Sequence, residues 1–177
     1  MKRLTVYDLV LMAVLTSILF IQEQLLYLLP NIQLTIFLLV LYSKKLGTVK
    51  TICMIIVHVI LDSLFTSSLG IIYTPFILVG WILIPVTLNT IFKSVNSNIT
   101  LAFLGVLYAI IYSWFFVIPF VYMLKVDFMA YIITDIPFQL LLASSSFITI
   151  LLLYEPSSRI FDYLLKLNKR KTMYCNK

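Results

Sequence analysis

The sequence is poor in almost everything that soluble enzymes use. Charged residues make up 11% of its 177 residues, against about a quarter in an ordinary globular domain. There is one histidine, His58, and two cysteines, Cys53 in an apolar segment and Cys175 in a basic tail. On the topology derived below the cysteines fall in different compartments, which excludes a disulfide framework and a thiolate metal site. No G-x-S-x-G elbow, Walker-type glycine loop or H-E-x-x-H helix occurs, so nucleophilic, nucleotide-driven and zinc-hydrolase chemistry has no residues to stand on. One histidine with scattered carboxylates is a poor metal set, although an oxygen-rich cation site stays open. The chain therefore reads as a non-enzyme without a cofactor, and any energy from ATP has to come from a partner.

What is abundant is apolar. Hydrophobic residues reach 62% and the mean hydropathy is +1.08, the composition of an all-α integral membrane protein in the lipid bilayer. The length suits one transmembrane domain over 1–177. Apolar segments run over about 6–26, 32–43, 49–65, 70–92, 99–123 and 129–154, which makes six transmembrane helices. The second is too short to cross a hydrocarbon core of roughly 30 Å, since a dozen residues reach only about 18 Å as a helix. It is tilted into a thinned region, extended into its flanks, or buried by neighbours. The N-terminus has the basic start and apolar run of a secretory signal but no convincing small-x-small cleavage site, so it reads as a retained first helix.

A net charge of +6 would suit nucleic acid, but the distribution of the charge points to membrane topology instead. With both termini cytoplasmic, Lys2, Arg3, Lys44, Lys45, Lys50, Lys93, Arg159, Lys166, Lys169, Arg170, Lys171 and Lys177 lie inside and Lys125 alone outside, as the positive-inside rule requires. The basic tail from about 157 reads as an amphipathic helix on the inner leaflet or as a solvated extension.

Ionisable groups inside a membrane are costly and mark function by default. His58 and Asp62 sit four residues apart, and so do Asp135 and Gln139 and Tyr108 and Tyr112; each pair shares one helix face. With Gln22, Glu23, Gln24, Asn31, Gln33, Tyr73, Trp81 and Trp114 they form a polar and aromatic band toward the outer side. Such a band suits a small-molecule pocket with aromatic walls and a few orienting polar groups. The candidate substrate contacts are Glu23, Asn31, His58, Asp62, Tyr73, Trp81, Tyr112, Trp114, Asp135 and Gln139. The plainer readings are a polar clamp between helices for His58 and Asp62 and an interfacial belt for the Trp and Tyr residues. Gln22, Glu23 and Gln24 are consecutive and cannot all face one cavity. Ala13 and Ser17 form a small-xxx-small pair on the first segment, suited either to internal packing or to docking another membrane subunit, whereas the small run 143–146 reads as internal packing.

On these features the chain resembles the substrate-binding S components of energy-coupling factor (ECF) transporters. The likeness rests on size, six segments with both ends inside, the basic start leading into a small-xxx-small helix, the short second segment after a proline-bearing loop, and YTPFILVGWILIP from Tyr73 to Pro85. It implies capture of a vitamin-like micronutrient from outside, in a bacterial plasma membrane. It also implies partners in an energy-coupling module, a transmembrane scaffold subunit and two ATPases, with Ala13 and Ser17 in the position of the family's scaffold contact. The acidic, aromatic band leans toward a neutral or cationic nitrogen heterocycle. The chain is also similar in architecture to rod-shape-determining membrane protein D, which would make it a cell-wall scaffold without a ligand.

Overall fold

The computed structural model describes residues 5–26, 28–29, 32–65 and 70–175. Among them it is all-helical, with α1 (Val6–Leu25), α2 (Thr35–Leu46), α3 (Thr48–Phe65), α4 (Gly70–Thr90), α5 (Asn98–Phe115) and α6 (Phe128–Cys175), and a π-helical turn over Pro119–Met123 between α5 and α6. Among the described residues five helical stretches are long and apolar enough to cross a membrane, one each from α1, α3, α4 and α6 and one formed by α5 with the π turn. Their outward faces carry large apolar side chains such as Val14, Ile60, Phe103, Leu140 and Leu152, surface that only lipid covers at low cost. This is a multi-pass membrane protein.

The exception is α2. Its residues from Thr35 to Ser43 are all buried, and it touches each of the other five helices. Of the three ways to accommodate so short a segment, the fold takes burial by neighbours. The break after it is tight. Gly47 alone separates α2 from α3, at φ +85, where a side chain would be strained. Lys44 and Lys45 occupy the last turn of α2, at the negative end of its dipole.

Polar contacts between the described helices gather at two ends of the bundle. At one end Lys50 pairs with Asp8 at 2.6 Å, Lys45 with Asp162 at 2.7 Å, and Lys44 donates to the Phe92 carbonyl at 2.9 Å. Asn98 donates to Glu155 there at 3.2 Å. Asp8 also closes a capping box with Thr5, which starts α1 with a carboxylate at its positive end. At the other end Gln22 donates to Thr35 at 2.8 Å and accepts from the Leu34 amide at 2.9 Å, while Ser63 meets Thr74 at 2.8 Å. Between the ends, helix hydroxyls turn back onto their own backbone, as Thr16 does to Met12 and Ser146 to Leu142, so that polar side chains in the apolar layer are satisfied.

The fifth segment runs over Asn98–Met123 as one apolar helical stretch, with a turn at Phe116 and the π turn over Pro119–Met123 at its end. One sequence expectation needs correction here. The sixth does not end near 154 in a separate tail. It is one helix of 48 residues, about 72 Å at 1.5 Å per residue. Its stretch past 154 stays on the bundle, with Phe161 buried 5.9 Å from the Tyr42 ring and Asp162 on Lys45. Small residues join α5 to α6: a Cβ on Gly105 would strike Ile150 and approach Ser146 at 3.6 Å, so part of the small run 143–146 serves internal packing.

Candidate functional site

At the end opposite the cluster of lysines lies a cavity of about 470 Å³. α1 contributes Glu23, the link before α2 contributes Gln33, and the end of α5 contributes Tyr112, Ser113 and Phe116. The π turn adds Phe120, and α6 adds Tyr131, Thr134, Asp135, Phe138 and Leu142. The two charged lining residues, Glu23 and Asp135, are both acidic. Aromatic rings make the walls: Phe120 lies 4.9 Å from Tyr131 and Phe116 lies 5.2 Å edge-on to Tyr112.

Local structure explains how each carboxylate is presented. Ser113 donates its hydroxyl to Asp135, bridging α5 and α6 across the cavity wall. Of the three consecutive polar residues at the end of α1, Gln22 is buried in the link to α2, Gln24 points outward and Glu23 faces the cavity. Behind Glu23 is His58, 2% exposed, with Nε2 at 3.0 Å from Oε2. The two groups touch without a formed hydrogen bond, and among the described residues neither Glu23 Oε2 nor His58 Nδ1 has a hydrogen-bond partner. Buried polar atoms left in this way cost about 1–3 kcal/mol each, and they are uncommon in folded proteins outside sites that await a partner.

The remaining candidates divide. Asp62 does not line the cavity, but it and Glu23 both lie within electrostatic reach of the Tyr112 hydroxyl. Trp81, 2% exposed, stacks on Tyr112 with centroids 3.9 Å apart, and Tyr73 stacks on Phe120 at 5.4 Å. Both support wall residues from behind. Gln139 is half-buried one turn beyond Asp135 and outside the lining. Trp114 is 63% exposed and lies in a separate apolar groove with Ile110, Phe115 and Ile118. Its position follows from helix geometry, since two residues rotate it about 200° from Tyr112. Asn31 lies outside the described residues. Tyr108 is a core residue hydrogen-bonded to Thr87 at 2.7 Å. Ala13 and Ser17 are both exposed on α1, Ser17 donating to the Ala13 carbonyl at 3.0 Å.

No family model, curated protein or solved structure matches this chain. The site therefore has to be read from its own geometry.

The sequence left Ser113, Phe116, Phe120, Tyr131, Thr134 and Phe138 unmarked. A usable signal was there. Tyr112, Phe116 and Phe120 recur every four residues, and Tyr131, Asp135, Phe138 and Leu142 follow at spacings of four, three and four, the repeat of one helix face. Among the described residues no group of three or more metal-ligating side chains occurs.

Proposed function

We propose that this chain is the membrane-embedded substrate-binding subunit of an uptake system. On this reading it captures a vitamin-like nitrogen heterocycle from outside, as an S component of an ECF transporter does. The observation that carries the reading is the cavity. Among the described residues it offers two carboxylates, no basic lining residue, and the rings of Tyr112, Phe116, Phe120 and Tyr131, a set that suits a flat ring bearing N–H groups or positive charge. A cell-wall scaffold needs no such chamber.

The orientation proposed is the one that charge counting gives. Six alternating helices cross the membrane, α2 doing so only inside the bundle, and both ends lie on the cytoplasmic side with the lysine cluster. The cavity then opens outward. Transport itself belongs to a complex in which a transmembrane scaffold and two ATPases supply the energy. Ala13 and Ser17, exposed on the inner half of α1, are the proposed docking patch for that scaffold.

The test is direct. Native mass spectrometry of detergent-purified protein should find a retained small molecule, and one member of a panel of vitamins and ring cations should raise the thermal midpoint in a dose-dependent way. Asp135→Asn should weaken that ligand at least tenfold while leaving the unliganded midpoint nearly unchanged. A protein that retains nothing and responds to no member of the panel would fit a ligand-free scaffold instead.

A further inference from the structure

The Glu23 and His58 pair has a property that ligand capture alone does not require. Imidazole exists in a neutral and a protonated form, and the contacts around His58 treat the two differently. The charged form gains the Glu23 carboxylate at 3.0 Å. It also places a second N–H, on Nδ1, where no acceptor exists among the described residues, whereas the neutral form leaves only a lone pair there. Occupancy of the cavity can therefore decide the outcome, because Glu23 is at once a lining residue and the neighbour of His58.

Resting on the reading of the cavity as a ligand site, we infer that it is a cation–proton exchange site: an organic cation entering it takes over Glu23, and His58 gives up a proton to the outer solution. Charge balances in the step. Before binding, the imidazolium offsets Glu23; afterwards the ligand cation does so, and one proton has left Nδ1 of the ring, no bond to the ligand being made or broken.

The groups around His58 are consistent with one exchangeable proton. α1 presents Glu23 to it and α3 itself carries Asp62 one turn on, while Tyr112 of α5 and Asp135 of α6, the latter held by Ser113, line the cavity with Glu23. α4 contains no charged residue, and its Tyr73 lies against Phe116 and Phe120. In α2 the ionisable side chains are Tyr42, Lys44 and Lys45, and they lie at the opposite end with Leu15, Phe92 and Asp162. Among the described residues the charged side chain placed against His58 is Glu23.

The probe is N-methylpyridinium, a flat permanent cation that takes up no proton itself. Binding is followed by calorimetry on detergent-solubilised, tag-free protein in two buffers of different ionisation enthalpy, at pH 6 and pH 8.5. The expected result is release of up to one proton per probe at pH 6 and almost none at pH 8.5, with affinity rising by up to about tenfold per pH unit between. His58→Gln and Glu23→Gln should each abolish the release. His58 is the only histidine in the chain, so its nitrogen-15 shifts report the same event in the unmodified protein, moving from imidazolium toward neutral as the probe is added at pH 6. Binding without proton release, release undiminished in His58→Gln, or histidine shifts that ignore the probe would overturn the exchange alone. Failure of N-methylpyridinium and of every other ring cation to bind would overturn the cavity as a cation site, and the exchange with it.

Discussion

The Tyr112 ring lies flat on the Trp81 indole, with centroids 3.9 Å apart and planes 16° from parallel. Beside that stack Gly80 leaves no room: a Cβ there would sit 2.7 Å from Tyr112 Cδ2. The Trp81 indole and the adjacent α4 backbone at Gly80 together fix the ring at the cavity edge, so α4 sets the shape of a chamber that it does not line.

Gly80→Ala should therefore move Tyr112. Overpacking of this kind costs about 1–3 kcal/mol in stability, and the ring can yield only toward the cavity or by breaking its stack. The expected outcome is a lowered thermal midpoint together with ligand affinity reduced at least tenfold, measured as a binding isotherm on folded protein. Affinity equal to that of the unaltered chain would show that Tyr112 is not a wall of the ligand site.

Gln22 ties the cavity to the α1–α2 link. Its side chain donates to Thr35 and to the Leu19 carbonyl and accepts from the Leu34 amide, and the next residue back from Leu34 is Gln33, a lining residue. Gln22→Leu keeps the bulk but leaves the half-buried Leu34 amide and the buried Thr35 hydroxyl without this partner. Thr35 keeps Gln33 as an acceptor at 3.2 Å, so the cost falls mainly on the Leu34 amide, at about 1 kcal/mol, and hydrogen exchange at Leu34 should rise by about an order of magnitude. Unchanged protection at Leu34 would mean that the amide is held by something else.

How much of this was readable beforehand depended on the kind of residue. Glu23, His58 and Asp135 stood out because a charge within an apolar helix has few reasons to be there. Their grouping was harder to read. His58 and Asp62 share a face of α3, yet the residue within contact of His58 is Glu23 on another helix, and no spacing within one helix reveals a partner on the next. The role of α2 was hidden for a related reason. A run such as Ile36–Leu41 looks alike whether lipid or protein surrounds it, and only the contacts with five other helices make α2 the centre of the bundle. Trp114 failed differently, since an aromatic near a helix end suits both a pocket and a lipid belt, and its angle from Tyr112 was the deciding information.

The position of Trp114 is itself testable. It is 63% exposed on the outer surface of α5, while Trp81 is 2% exposed inside, and the chain has no third tryptophan. In vesicles with brominated acyl chains, Trp81→Phe protein, which keeps Trp114, should lose most of its emission. Trp114→Phe protein, which keeps Trp81, should lose little of its emission to bromine but change on ligand addition through the Tyr112 stack. Equal bromine quenching of the two variants would contradict this assignment of faces.

The docking patch proposed on α1 gives a test that separates binding from transport. Ala13 and Ser17 are small and exposed, amid the outward apolar side chains of Leu9, Val10, Val14, Ile18 and Ile21, so α1 presents a shallow groove where another helix can approach its backbone closely. Ala13→Leu fills that groove without touching the cavity or the core. Ligand affinity and thermal midpoint should stay within error of the unaltered chain, whereas co-purification with the scaffold subunit and uptake into cells should fall by an order of magnitude or more. Ala13→Ser, which keeps the residue small, should retain both. If Ala13→Leu still co-purifies and transports normally, the partner surface lies elsewhere on the bundle, and the small pair on α1 simply faces lipid.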